Sequence, residues 1–134
     1  MLLATMGAAR TRRKVLYVED EPAVQRLVRF WLEDAGFDVV VEGDGRAGLE
    51  AVHREQPDLV VTDALMPEMT GDDLVAAIKT DPELRDLPVI MATAAASPLR
   101  VKRMLELGCA DVVAKPMTEE AFLASVRRAL GDED

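Results

Sequence analysis

The chain has 134 residues, enough for one domain around a single hydrophobic core. Hydrophobic residues make up 49% of it, so a packed globule is expected rather than a disordered chain. The formal net charge of −9 disfavours nucleic acid and anionic membranes as direct partners, and the single cysteine, Cys109, excludes an internal disulfide.

Residues 1–13 read as a disordered lead-in. Met1 to Ala9 is apolar, but its arginines follow at Arg10, Arg12 and Arg13, the reverse of a secretion signal. No apolar run approaches the length of a membrane span. With one cysteine and no signal, a reducing cytoplasmic setting is expected. Lys14 to Val18 is a strand that ends on Glu19-Asp20-Glu21. Pro22 suits the first turn of a helix, and Val24, Leu27, Val28, Trp31, Leu32 and Ala35 form one apolar face at helical spacing, closed by Gly36. A second strand spans Asp38 to Glu42, a turn Gly43 to Gly45, and a second helix Arg46 to Glu55, stopped by Pro57. The third strand, Leu59 to Thr62, ends at Asp63, and a loop with Met66-Pro67 and Gly71 leads to a third helix over Asp72 to Thr80 with Leu74, Val75 and Ile78 inward. Asp81-Pro82 breaks it, and a polar connector runs to Pro88. The fourth strand, Val89 to Ala92, ends at Thr93. Ser97 caps a fourth helix over Leu99 to Leu107, with Pro98 in its first turn and Gly108 at its end. A short fifth strand, Asp111 to Ala114, ends at Lys115-Pro116, and Thr118 caps a fifth helix whose inner face is Phe122, Val126, Ala129 and Leu130. Cys109 is expected to be a small buried core residue.

Alternation of five strands with five helices implies a parallel, doubly wound sheet with right-handed crossovers and helices on both faces. All strand C-termini then share one edge, where open α/β sheets bind their ligands. Glu19, Asp20, Asp63, Thr93 and Lys115 all fall there. Carboxylates so close need positive charge; Lys115 supplies part, and a divalent cation with oxygen ligands, Mg²⁺, supplies the rest. A carboxylate beside a cation, a lysine and a hydroxyl is equipped for phosphoryl transfer, with Asp63 as nucleophile.

The ordered set Glu19-Asp20, Asp63 with Met66-Pro67 and Gly71, Thr93-Ala94 and Lys115-Pro116 resembles a response-regulator receiver domain of two-component signalling, of the chemotaxis-receiver type. The resemblance implies a flavodoxin-like (βα)5 fold with strand order 2-1-3-4-5, a receiver domain over residues 14–130 and an acidic tail over 131–134. It implies that Asp63 is the phosphoacceptor. Mg²⁺ would be bound by Asp20 and Asp63 directly, by Glu19 through water, and by the Leu65 backbone carbonyl. Thr93 and Lys115 would contact the phosphoryl group, and Lys115-Pro116 would be cis. The implied donor is a sensor histidine kinase or a histidine phosphotransfer protein, and the implied role is signalling rather than metabolic catalysis, with slow self-dephosphorylation. The tail is read as too short for an attached output module, so a single-domain regulator is expected. The fourth helix, fifth strand and fifth helix would offer a homodimer or effector surface, with Arg100, Lys102 and Arg103 together on the fourth helix and Arg127 and Arg128 on the fifth.

Three departures from the family pattern stand out. Glu19 occupies a position where Asp is commoner. Val112 replaces the aromatic that often precedes the lysine, so switching is expected to run through the loop Ala94 to Ser97. Leu65 and Ala95 lack hydrogen-bonding side-chain atoms at the two positions flanking the approach of water, which favours a long-lived phosphoryl group. Gly43-Asp44-Gly45-Arg46-Ala47-Gly48 matches a dinucleotide-binding fingerprint. However, it follows the second strand, and Asp44 would repel a pyrophosphate. His53 reads as a surface residue. The alternative function is a receiver-like interaction module that works without phosphorylation.

Overall fold

The three central strands form where β-branched and aliphatic residues predominate, as expected of strands buried on both faces. A computed structural model describes residues 12–132 of the chain. Its elements are β1 (Lys14–Val18), α1 (Pro22–Asp34), β2 (Asp38–Glu42), α2 (Gly45–Glu55), β3 (Leu59–Asp63), α3 (Gly71–Thr80), β4 (Val89–Thr93), α4 (Pro98–Leu107), β5 (Asp111–Ala114) and α5 (Glu119–Leu130). The five strands form one sheet in the order β2-β1-β3-β4-β5. Every pairing is parallel. This is the flavodoxin-like doubly wound arrangement expected from the alternation.

Two cores flank the sheet. On one face Leu16, Val18, Val60 and Met91 pack against Val52 of α2, Leu74 and Ile78 of α3 and Met104 of α4, with Cys109 buried among them. On the other, Val15, Tyr17, Val61 and Ile90 pack against Val28 and Leu32 of α1 and Phe122 and Val126 of α5. Val112 packs at the margin of the first core.

Four of the five helix starts, those of α2 to α5, are capped by short polar side chains, each accepting one of the otherwise unpaired first-turn N–H groups. Asp44 accepts from Ala47 N at 2.8 Å, Thr70 from Asp73 N at 3.2 Å, Ser97 from Arg100 N at 3.2 Å and Thr118 from Ala121 N at 3.0 Å. The glycines of the fingerprint-like run have a packing explanation. A Cβ on Gly45 would lie 2.1 Å from the Met69 carbonyl oxygen, and one on Gly48 would lie 2.9 Å from the Val18 side chain. With Asp44 already occupying the N-terminus of α2, the run serves close packing of α2 against the loop after β3 at Gly45 and against the sheet at Gly48.

Several details differ from the sequence reading. Leu27 was expected on the inner face of α1, but it is 50% exposed, since the buried arc is centred on Val28 and Leu32. The connector after α3 is not wholly polar, because Leu84 and Leu87 pack on the first core. Of the expected lead-in, residues 1–11 lie outside the described residues. Arg13 is described: its carbonyl accepts from Asp38 N at 2.9 Å, and its guanidinium pairs with Asp132 at 3.0 Å. Of the expected tail, residues 133–134 lie outside the described residues.

Candidate functional site

β1 and β3 are adjacent and parallel, with Val18 level with Thr62, so the residues after them, Glu19-Asp20 and Asp63, emerge side by side. β4 adjoins β3 with Ala92 level with Asp63, which puts Thr93 one step beyond it. β5 adjoins β4 with Ala114 level with Thr93, which delivers Lys115 at the same edge. The five residues singled out by the sequence are thus brought to one sheet edge.

Glu19, Asp20 and Asp63 each offer a carboxylate oxygen, and these oxygens lie within 4.8 Å of one another. Lys115 Nζ lies 2.5 Å from Glu19 Oε1 and 3.5 Å from Asp63 Oδ1. The lysine therefore leans to Glu19. Asp63 Oδ1 also accepts from Ala64 N at 2.8 Å. Its carboxyl is held above the usual carboxylate range, first by burial. The Lys115 ammonium and the Ala64 N–H oppose that rise, and the Glu19 charge adds to it. Asp20 is exposed, whereas Glu19 is only 2% exposed.

Glu19 is also held by groups that the sequence reading did not single out. Tyr17 OH donates to Oε1 at 3.2 Å, and Glu21 N donates to Oε2 at 3.2 Å. Gln25 Nε2 donates to the Glu19 backbone carbonyl. Tyr17 is fully buried, edge-on to Phe122 with ring centroids 6.5 Å apart. Burial first, and the Glu19 charge second, push its phenol far above the ordinary tyrosine value, so it stays protonated and donates. The signal for Tyr17 was the two-residue period of a strand, which puts Tyr17 and Glu19 on one face.

The loop after β3 is built tightly. Gly71 N donates to the Ala64 carbonyl at 2.9 Å, and a Cβ on Gly71 would lie 2.2 Å from the Asp63 carbonyl oxygen. Met66 is buried, while the Leu65 side chain is 75% exposed. Thr93 is buried, and its Oγ1 accepts from Ala95 N at 3.0 Å. Beside Asp63 lies an open cleft of about 260 Å³ whose walls include Ala64, Leu65, Thr93, Ala95 and Arg100. The Lys115-Pro116 bond is cis.

One expectation is overturned next to this cleft. Arg100 does not join Lys102 and Arg103 on an open basic surface. Its guanidinium reaches back to the start of α3 and makes a two-pronged pair with Asp72, at 2.9 and 2.6 Å. Asp72 is accordingly not a merely solvated charge. On α5, Arg128 is likewise paired with Asp111 at 3.0 Å, while Lys102, Arg103 and Arg127 are exposed.

Three carboxylates with a single lysine form a hard, oxygen-rich and electron-rich cleft, which fits a small divalent cation better than it fits a soft metal. Among the described residues no helix is long and apolar enough to cross a membrane.

The family model of the response regulator receiver domain matches residues 15–127. The chain is 35% identical over 119 residues to the DNA-binding response regulator MtrA of Mycolicibacterium smegmatis, covering 89% of this chain and 51% of that protein. It therefore spans about half the length of that relative. Its fold is similar to the chemotaxis response regulator CheY4 of Vibrio cholerae, with a TM-score of 0.84 and 31% identity, covering 90% of this chain and 100% of that one. It is also similar to the receiver domain of the sensor histidine kinase PA1611 of Pseudomonas aeruginosa PAO1, which was solved with a magnesium ion coordinated in its active site cleft. There the TM-score is 0.82 and the identity 26%, covering 90% of this chain and 99% of that one.

Proposed function

Since the chain belongs to the response regulator receiver domain family, we propose that Asp63 is its phosphoacceptor, in a Mg²⁺-dependent transfer from a histidine kinase or histidine phosphotransfer protein. The observation that carries this reading is the convergence of Glu19, Asp20 and Lys115 on Asp63, whose carboxylate is 16% exposed and faced by an ammonium at 3.5 Å.

In the proposed step an Asp63 carboxylate oxygen attacks phosphorus. The P–N bond to the donor imidazole breaks, and the electron pair leaves with that ring, which is protonated. Lys115 turns from Glu19 toward the developing charge on the phosphoryl oxygens, and the Thr93 hydroxyl, at the end of β4, donates to one of them. The Ala64 N–H orients the attacking carboxylate. Asp20, Asp63 and the Leu65 carbonyl would hold Mg²⁺, with Glu19 reaching it through water. When bound, the cation would supply charge neutralisation to the step.

The protein is in this reading a cytoplasmic signalling module that assists its own phosphorylation and slow dephosphorylation. Its output runs through α4, β5 and α5, where exposed Lys102, Arg103 and Arg127 stand out from an acidic chain. The test is incubation with a small-molecule phosphodonor, with and without Mg²⁺, followed by intact-mass measurement. One added phosphoryl group is expected, absent in Asp63→Asn and absent under chelation. Modification that persists in that variant would overturn the assignment.

A further inference from the structure

Glu19 is the most deeply buried charge at the site, and every contact to its carboxylate is accounted for. Oε1 is shared by the Lys115 ammonium at 2.5 Å and the Tyr17 hydroxyl at 3.2 Å, while Oε2 takes the Glu21 N–H at 3.2 Å. With a side chain 2% exposed, it has little access to bulk water. Lys115 is 1 Å nearer to Glu19 than to Asp63. Any process that draws Lys115 to a group on Asp63 must take it from Glu19. That leaves a buried carboxylate oxygen with one remaining side-chain donor, Tyr17.

From this we propose that Tyr17 is a positioning residue for phosphorylation. Its hydroxyl keeps Glu19 satisfied when Lys115 moves to the phosphoryl group, and so sets how readily the lysine is released. This inference rests on the phosphoacceptor reading of Asp63. The Tyr17–Glu19 bond strengthens as the lysine departs, because a carboxylate that has lost its counter-charge is a stronger acceptor, and because an unpaired buried oxygen is costly. Without the hydroxyl, Lys115 becomes the only side-chain donor on Oε1, and the resting arrangement gains on the rearranged one. The longer glutamate is what makes the contact. An aspartate here would end one methylene short, drawing its oxygens back from both Tyr17 and Lys115. Tyr17 lies on the face of β1 packed against α1 and α5, so it touches neither the phosphodonor cleft nor Asp63 by hydrogen bond.

The experiment is a double-mutant cycle of Tyr17→Phe and Glu19→Asp, with acetyl phosphate and Mg²⁺, following phosphorylated protein by intact mass. The phosphodonor's bond from phosphorus to the acetyl oxygen breaks, acetate leaves, and the phosphoryl group joins Asp63. Tyr17→Phe should slow phosphorylation about tenfold, the effect of one hydrogen bond to a charged group. The slowing should disappear in the Glu19→Asp background. Mg²⁺ affinity by calorimetry should be the same in Tyr17→Phe as in the wild type, which separates lysine release from cation binding. In metal-free buffer, thermal melting should show the same dependence: Tyr17→Phe costs stability only when residue 19 is Glu. Equal slowing in both backgrounds, no slowing in either, or a matching loss of Mg²⁺ affinity would each overturn the role of Tyr17. If the wild type itself takes up no phosphoryl group, the phosphoacceptor reading fails first, and the inference with it.

Discussion

Replacing Asp63 with Asn should make the metal-free protein more stable. The carboxylate is partly buried, 16% exposed, and its titration is displaced upward chiefly by that burial. Like charges with oxygens within 4.8 Å repel by at least about 3.5 kcal/mol for each of the two neighbouring carboxylates at an effective dielectric near 20, while Lys115 at 3.5 Å attracts by about 4.7 kcal/mol. The single lysine does not outweigh the two carboxylates, and Lys115 keeps its closer partner Glu19 in the variant. What remains is the desolvation of the Asp63 charge, which Asn relieves while its Oδ1 still accepts from Ala64 N. A gain on the order of 1 kcal/mol is expected, or roughly 4 °C in Tm for a domain of this size.

The sign with pH follows from the direction of the shift. Asp63 binds its proton more tightly in the folded than in the unfolded chain, so its ionisation costs stability. That cost is absent below the unfolded value of 3.8, grows as pH rises through the folded value and is constant above it. The advantage of Asp63→Asn should therefore be full at pH 7 and vanish in acid. Thermal melts in chelator across that range measure it directly. Adding Mg²⁺ should raise the wild-type Tm and narrow the gap, since the variant lacks one carboxylate. A ligand at ten times its Kd contributes about 1.4 kcal/mol. A variant less stable than the wild type in chelator at pH 7, or equally stabilised by Mg²⁺, would refute the reasoning.

Three further outcomes are expected. Gly71→Ala forces a Cβ to within 2.2 Å of the Asp63 carbonyl oxygen and should cost roughly 2–3 kcal/mol in denaturant unfolding, as overpacking does; a loss well under that would mean the loop yields freely. The Cys109 thiol, pushed up to about 11 chiefly by burial, should react with a thiol reagent at pH 8 only as fast as the fold opens, and at once in denaturant; prompt reaction of the native protein would contradict its buried placement. Leu65→Asn with Ala95→Glu should shorten the life of the phosphoryl group about tenfold, the effect of one orienting contact in the hydrolytic transition state; equal or slower decay at fixed Mg²⁺ would show that these positions do not set the lifetime.

The fold was legible because the strands β1, β3 and β4 are largely apolar runs that lead to Glu19, Asp63 and Thr93, and because the loops carry capping residues at four of the five helix starts. Convergence of the five site residues then followed from parallel topology alone. What escaped the sequence is side-chain direction. Helical spacing places Leu27 near the apolar stripe of α1 but does not say where its edge falls, and the sheet leaves Leu27 half outside. The basic cluster on α4 lost Arg100 to Asp72, 28 residues earlier, because the register of two neighbouring helix starts has no local signature. Tyr17 was not singled out within its strand, although the strand period already put it beside Glu19.

Charge at the site has a further consequence. Three carboxylates and one lysine leave two negative charges uncompensated in a partly buried cleft. Lys115 cannot serve Glu19 and a phosphoryl dianion equally, since it sits at 2.5 Å from one carboxylate and 3.5 Å from the other. A dianion arriving on Asp63 without a cation would meet net repulsion and compete with Glu19 for the lysine. On the proposed reading, cation binding and phosphorylation are therefore coupled, and linkage makes the coupling reciprocal: whatever factor Mg²⁺ adds to the stability of the phosphorylated form, phosphorylation adds to the affinity for Mg²⁺. The replacement of Asp by the longer Glu19 bears on that balance, because it gives the lysine a buried partner to leave.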